Sequence, residues 1–242
     1  FVGPSLRVLD RSMAPKAAPK GKKEEAPPPP EEPTEEKYGE WKGAFNEQGL
    51  PEGKGEAVYP NGDVYTGEIL HNQRQGFGKY VWKAAEEGKS GGVYEGGYES
   101  NKKNGKGLMK YPDNGTYDGQ WKDGLRQGQG TFKYPNGDWY KGQWHQGKKS
   151  GEGTYFSYTG SCWYMGQWVE GNFEKGEWKF KDGSCYKGEF KNGRPAPGEG
   201  IFLFPNGNQL NGKWVEAPLE GGEEGQTTTV WVGGELTVPP SA

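Results

Sequence analysis

The stretch YDGQWKDGLRQGQGTFKYPNGDWYKG, residues 117–142, leaves this chain few folds to choose from. Residues in an extended strand alternate between two faces. Tyr117, Gly119 and Trp121 therefore share one face, and Asp118, Gln120 and Lys122 share the other. The second half repeats the pattern: Gly128, Gly130, Phe132 and Tyr134 lie opposite Gln129, Thr131 and Lys133. A β-hairpin with one aromatic and one wet face follows. Gly124 sits in the loop between the halves. After them comes Asn136-Gly137, a pair that predicts a tight two-residue hairpin turn.

The unit recurs, and a fixed period decides the architecture before any local detail does. It opens at Trp41, Tyr65, Tyr94, Tyr117, Tyr140, Tyr164, Tyr186 and, degenerately, Leu210, in steps of 24, 29, 23, 23, 24, 22 and 24 residues. The step of 29 holds a polar insert, Ala84–Gly92, expected to bulge out as a loop. A second-half glycine pair recurs from Gly53/Gly55 to Gly198/Gly200, except in the sixth unit, which keeps only Gly176. The shared pattern, Y-x-G-x-W-x-x-G-x-x-x-G-x-G-x-x-x-x-x-(D/N)-G, resembles the MORN repeat (membrane occupation and recognition nexus). Seven copies and an eighth half-copy carry the resemblance over residues 38–216. Trp41 and Leu210 depart from it where tyrosine is expected.

The expected fold is all-β: a single-layer antiparallel β-hairpin solenoid of these repeats behind a disordered N-terminal tail. Strands lie about 4.7–4.9 Å apart, so each hairpin should advance the sheet by roughly 9–10 Å. A lone hairpin is barely stable in water, but stacked hairpins bury one another's aromatic rows. Glycine between two same-face rings should leave room for a ring from the next rung. The aromatic stripe is then core, and part of it can also line a concave groove that receives a partner.

Composition needs this pattern to make sense. Only 30% of residues are hydrophobic and the mean hydropathy is −1.07, values that would suit a disordered chain. Ten Trp, fourteen Tyr and ten Phe in register supply the missing buried area. A net charge of −3 argues against a nucleic-acid partner, which needs a concentrated basic surface. No run of eighteen apolar residues is present to span a membrane as a helix, and no secretory signal peptide is visible. Cys162 and Cys185 fall on opposite faces of adjacent rungs and are expected as thiols in a reducing compartment.

Residues 1–37 form a Pro/Lys/Glu-rich tail. Within it, residues 1–12 lack repeat character and precede Met13-Ala14-Pro15-Lys16, which reads as a natural start, so they are set aside as either non-native or upstream sequence. From Ala14 the tail turns from basic (APKAAPKGKK) to acidic and proline-rich (EEAPPPPEEPTEE), a composition that cannot bury a core. It serves either as a solubilising arm or, through four lysines at positions 16–23, as an anchor on an acidic surface. Residues 217–242 read as a linker followed by two short strands around Gly233-Gly234, either capping the last edge or pairing with another chain.

Signatures of chemistry are absent from the sequence. Gly88-Lys89-Ser90 ends like a phosphate loop but lacks its first glycine. The G-x-G pairs open no helix. His71 and His145 are far apart with no ligand-spaced neighbours, so no metal is expected. There is no G-x-S-x-G and no nucleophile matched to a histidine. No enzyme, catalytic residue or cofactor is expected.

A nearly pure MORN array with a charged, proline-rich N-terminal tail is similar to the radial spoke head proteins of cilia and flagella. That resemblance implies a structural subunit in the axoneme, bound to other radial spoke head proteins and supporting motility, with homo- or hetero-dimers forming through the array ends. The groove residues expected to meet a partner are Tyr94, Tyr98, Tyr117, Trp121, Tyr140, Trp144, Tyr164 and Trp168. The alternative is a peripheral membrane adaptor that binds anionic phospholipids through strand-end lysines such as Lys122, Lys141 and Lys187. Interleaved carboxylates and the lack of a lipidation motif weigh against it.

Overall fold

The structure, a computed structural model, describes residues 26–30, 39–89, 91–218 and 226–238. Most of the N-terminal tail and the linker at 219–225 lie outside the described residues, and with them the expectation of disorder. Among the described residues there is no helix, and every pairing between strands is antiparallel. The chain divides into two compact units, one within Glu25–Lys149 and one within Ser150–Ala242.

The first unit runs through β1 (Glu40–Phe45), β2 (Pro51–Val58), β3 (Val64–Leu70), β4 (Gln73–Val81), β5 (Val93–Glu99), β6 (Lys102–Lys110), β7 (Thr116–Lys122), β8 (Leu125–Lys133) and β9 (Trp139–His145). Each strand pairs with the next in sequence, the meander that a hairpin repeat dictates. The polar insert lies in the connection from β4 to β5, where Trp82 N–H donates to Gly92 O at 3.2 Å. The strand β10 (Lys148–Ser157) begins in the first unit and from Ser150 belongs to the second, which also holds β11 (Cys162–Val169), β12 (Asn172–Phe180), β13 (Cys185–Lys191), the two-residue β14 (Arg194–Pro195), β15 (Gly198–Leu203), β16 (Gln209–Pro218) and β17 (Thr227–Thr237). Its strands also pair in sequence order, with β13 bridging to both β14 and β15. Cys162 and Cys185 are buried thiols, not joined to one another.

The two kinds of connection are the reverse of what Asn-Gly suggests. The two-residue turn lies inside the unit, at Asp123-Gly124, with both residues at positive φ (50° and 83°). This is the mirror-image turn whose twist matches a hairpin. His71-Asn72, Ser100-Asn101 and Glu170-Gly171 repeat it. Asn136-Gly137 instead belongs to a three-residue loop in which Tyr134 N–H donates to Asp138 O (2.9 Å) and Gly137 N–H to Tyr134 O (3.1 Å). Pro135 supplies the fixed φ of an ordinary turn's first position, so only Gly137, at φ 89°, must be left-handed.

The glycines explain the motif differently from expectation too. A Cβ on Gly119 would sit 2.5 Å from Tyr117 Oη and 2.6 Å from Gly130 Cα, and one on Gly130 would meet the same tyrosine ring. The ring crossing the glycines is therefore the unit's own opening tyrosine, not one from the next rung. Its hydroxyl then donates to the carbonyl three residues on: Tyr65 to Glu68 (3.0 Å), Tyr94 to Gly97 (3.0 Å), Tyr117 to Gln120 (2.9 Å) and Tyr140 to Gln143 (3.0 Å). Trp41 fills the same role, lying over Gly43 and Gly55 and donating Nε1 to Ala44 O at 2.8 Å. Contact with the neighbouring rung comes from the tryptophan of the motif. Trp121 Nε1 donates to Gly107 O (3.1 Å), Trp144 to Gly130 O (3.2 Å) and, in the second unit, Trp168 to Gly153 O (3.1 Å).

The end of the array is also rebuilt. Residues 227–237 form one strand, β17, along the whole of β16, rather than two short ones around Gly233-Gly234. Gly212 pairs with Gly233 and Trp214 with Trp231, as Gly119 pairs with Gly130 and Trp121 with Arg126. So β17 is the second strand of the eighth hairpin. A Cβ on Gly212 would lie 2.5 Å from Trp231, whose ring covers the site that a tyrosine at Leu210 would have filled.

Candidate functional site

The buried face combines two columns. The first is the aromatic row. Of the eight rings expected to line a groove, six lie in the first unit, in near-perpendicular edge contacts: Tyr98–Tyr94 (5.3 Å), Tyr94–Trp121 (5.3 Å), Trp121–Tyr117 (5.1 Å), Tyr117–Trp144 (5.3 Å) and Trp144–Tyr140 (5.2 Å). Tyr164 and Trp168 lie in the second unit, each against Phe173. None of the eight is more than 8% exposed. Edge-to-face pairs contribute about 0.5–1.5 kcal/mol each beyond their burial, so the row is core and offers a partner almost no surface of its own.

The second column is one that the motif did not announce. Opposite the third ring position of each hairpin stands the second residue of the returning strand: Arg74 across from Ile69, Lys103 from Tyr98, Arg126 from Trp121. Lys149 holds the same place at the start of β10. All four are at most 5% exposed. A glycine bulge leaves their parity intact: from Gly119↔Gly130 to Trp121↔Arg126 the returning strand β8 uses two residues more than β7, and Gly128 takes φ 64°. Strict alternation carried back from Gly128 reaches Arg126, so the parity that identified the aromatic face would have found this column had it been followed two residues further.

Burying a cation is costly unless its charge and donors are matched. Here the rings match the charge. Arg74 lies 5.3–6.0 Å from the centroids of Tyr59, Tyr65, Tyr80 and Tyr98. Lys103 lies 5.2–5.7 Å from Trp82, Tyr94 and Trp121, and Arg126 lies 4.9 Å from Trp144. Oxygens meet the donors on the terminal nitrogens: Arg74 Nη1 donates to Tyr59 Oη (3.3 Å) and Nη2 to Asn101 O (3.0 Å). Arg126 does the same to Tyr111 Oη (3.0 Å) and Gly147 O (2.9 Å). In the second unit the equivalent residues are apolar: Phe173 pairs with Trp168, Pro195 with Phe190 and Trp231 with Trp214.

Arg126 makes one further contact. Its Nη1 donates to Pro27 O at 2.9 Å and its Nη2 to Ala26 O at 3.0 Å, about a hundred residues away in sequence. The stretch Ala26–Pro30 lies against the first unit with all but Pro28 partly buried. Arg126 thus holds this segment through two successive carbonyls.

Burial also sets the titration of the row. It pushes the Tyr111 hydroxyl above its ordinary value, against the pull of Arg126, and pushes Tyr186 up to about 12. Tyr80, Tyr117 and Tyr164 are driven higher still, each chiefly by desolvation. A raised folded-state value means that the stabilising share is complete below the ordinary tyrosine value of 10.0 and is lost as pH climbs from there toward the folded value. We expect thermal stability to fall steeply above pH 10, with tyrosinate absorbance appearing in the same step as unfolding. Tyrosinate formed earlier, in the folded protein, would show that the hydroxyls are not buried.

His71 and His145 are both exposed, and the His145 ring meets the side-chain amide of Gln127 at 3.2 Å. Among the described residues no three His, Cys, Asp or Glu side chains converge as a metal site, and no helix is long and apolar enough to cross a membrane.

Comparison with known proteins agrees with the repeat. A family model described as MORN repeat matches residues 47–64, 65–84, 94–116, 117–139, 140–162, 164–185 and 186–209. MORN repeat-containing protein 3 of Xenopus laevis is 36% identical over 76 residues, covering 31% of this chain and 28% of that protein. The chain thus matches a little over a quarter of that relative's length. Among solved structures, the TCP10 domain of Danio rerio CPAP in complex with a STIL peptide overlaps 76% of this chain and 86% of its own, with a TM-score of 0.41 at 11% identity.

Proposed function

Because the chain belongs to the MORN repeat family, we propose that it is a protein-binding scaffold without catalytic activity, and more finely a structural subunit of the axonemal radial spoke head that supports ciliary and flagellar motility. The observation carrying the scaffold reading is the grip of Arg126 on two successive carbonyls of an extended segment. Such a contact selects a backbone conformation and performs no reaction. The finer assignment draws on the layout of a nearly pure array behind a charged, proline-rich tail, which is similar to radial spoke head proteins. Its partners are then other radial spoke head proteins, and its place is the axoneme.

A membrane role is less well supported by the surface. The wet face carries ion pairs such as Lys42–Glu56 (3.0 Å) and Lys175–Glu189 (3.5 Å), which break up any concentrated positive field. The test is retention on detergent-extracted, salt-washed axonemes. We expect the protein to stay with them and to be lost from axonemes that lack spoke heads. Release by detergent, together with salt-sensitive flotation on anionic vesicles, would replace this reading with the lipid-binding one.

A further inference from the structure

Arg126 is built to be a receptor for backbone rather than for charge. Its guanidinium is fixed on one side by Tyr111 Oη and Gly147 O, and it rests 4.9 Å from the centroid of Trp144. What remains is a planar fork with one N–H on each terminal nitrogen pointing outward. Two carbonyls of consecutive residues, Ala26 O and Pro27 O, occupy it at 3.0 and 2.9 Å.

A proline-rich strand suits this fork for three physical reasons. Polyproline II backbone makes no internal hydrogen bonds, so its carbonyls are all available. Proline has no N–H, so no donor is stranded when the strand lies on a guanidinium, which supplies only donors. The conformation is already set, so little ordering entropy is lost on docking. Pro27–Pro30 are four consecutive prolines, flanked by Glu24-Glu25 and Glu31-Glu32. Lys103 and Lys149 stand at the equivalent positions in the hairpins on either side of Arg126. Cationic residues at these positions complement the acidic flanks by sign.

We propose that residues 26–30 are a built-in occupant of the partner groove at Arg126, and that the partner they hold off is itself a proline-rich extended segment with acidic flanks. This rests on the scaffold reading above but not on any particular assembly. The tail is tethered, and a tethered ligand acts at an effective concentration on the order of millimolar. A free segment of the same chemistry must displace it, so the array engages only partners that bind better than the tail or that reach it when the tail is drawn away. The basic stretch at residues 16–23 is the handle by which an acidic surface could draw it.

The experiment uses the full-length chain and a fluorescent peptide, EEAPPPPEEP, copied from residues 24–33. Anisotropy is followed for the parent, for a chain carrying Pro27→Gly, Pro28→Gly, Pro29→Gly and Pro30→Gly, and for that chain with Arg126→Lys added. Relieving the competition should tighten peptide binding at least tenfold in the four-glycine chain. Arg126→Lys keeps the charge and loses the fork, and it should remove that gain while thermal unfolding confirms that the array is intact. Equal binding by the parent and the four-glycine chain, or no binding by the latter, would overturn the proposal. So would a gain that survives Arg126→Lys. The peptide assay contains no axonemal component, so its failure leaves the axoneme-retention result standing, and the converse also holds.

Discussion

Replacing Trp144 with alanine is expected to lower stability by about 3–5 kcal/mol, the usual cost of emptying a buried indole site. The ring is 3% exposed and makes edge contacts with Tyr117 and Tyr140 at 5.3 and 5.2 Å. It also supports the Arg126 guanidinium and donates Nε1 to Gly130 O at 3.2 Å. Its loss opens a cavity, strands a carbonyl and withdraws one of the rings that balance a buried cation. For an array of this size the melting temperature should drop by roughly 6–20 °C. A variant that melted within about 2 °C of the parent would mean that the ring is surface, and that the aromatic row is a bare groove after all.

Gly119→Ala should approach the same severity from the opposite direction, by overfilling. The added methyl would lie 2.5 Å from Tyr117 Oη and 2.6 Å from Gly130 Cα. The first obstacle could rotate away only by giving up its 2.9 Å bond to Gln120 O, and the second is backbone. Overpacking of this kind costs about 1–3 kcal/mol and sometimes more; with backbone in the way the upper end is expected. Gly124→Asn is the matched control. Gly124 sits at φ 83° with nothing within 4 Å of an added Cβ, and asparagine tolerates the left-handed region. Thermal melts should separate the two by at least about 4 °C. Equal melts would show that the tyrosine does not lie across the glycine pair.

Much of this was legible because the repeat is regular. Period-two alternation placed Tyr117, Gly119 and Trp121 on one face, and the structure keeps them there. The insert at Ala84–Gly92 falls in the connection between β4 and β5, as the longer step required. What could not be read from single positions depends on what residues do together. Asn136-Gly137 looks like a two-residue turn until Pro135 is weighed with it, because a fixed φ one residue earlier shifts the left-handed requirement onto Gly137 alone. Gly233-Gly234 looks like a turn between short strands, but pairing of Gly233 with Gly212 makes it the continuation of a single strand. The cation column escaped notice because Arg and Lys on a hairpin suggest solvent. Parity carried back from Gly128 puts Arg126 on the buried face, and the surrounding rings explain why a cation is held there. The docked stretch at residues 26–30 was hidden by composition, since a proline run reads as tail whether or not a side chain far along the chain holds it.

One consequence lies in the direction of the tryptophan bonds. Trp144 reaches back to Gly130, and Trp121 to Gly107, so each of these two modules borrows a single bond from its predecessor, and the earlier of them lends one carbonyl to its successor. Such a chain of donors can be counted out in whole modules. Duplicating residues 117–139 in tandem would give every new indole a carbonyl to reach and leave no lender unclaimed. A duplication of half that length would break the succession at its seam. The array's length is thus a quantity that gene duplication can change in integral steps, with no need to redesign the fold.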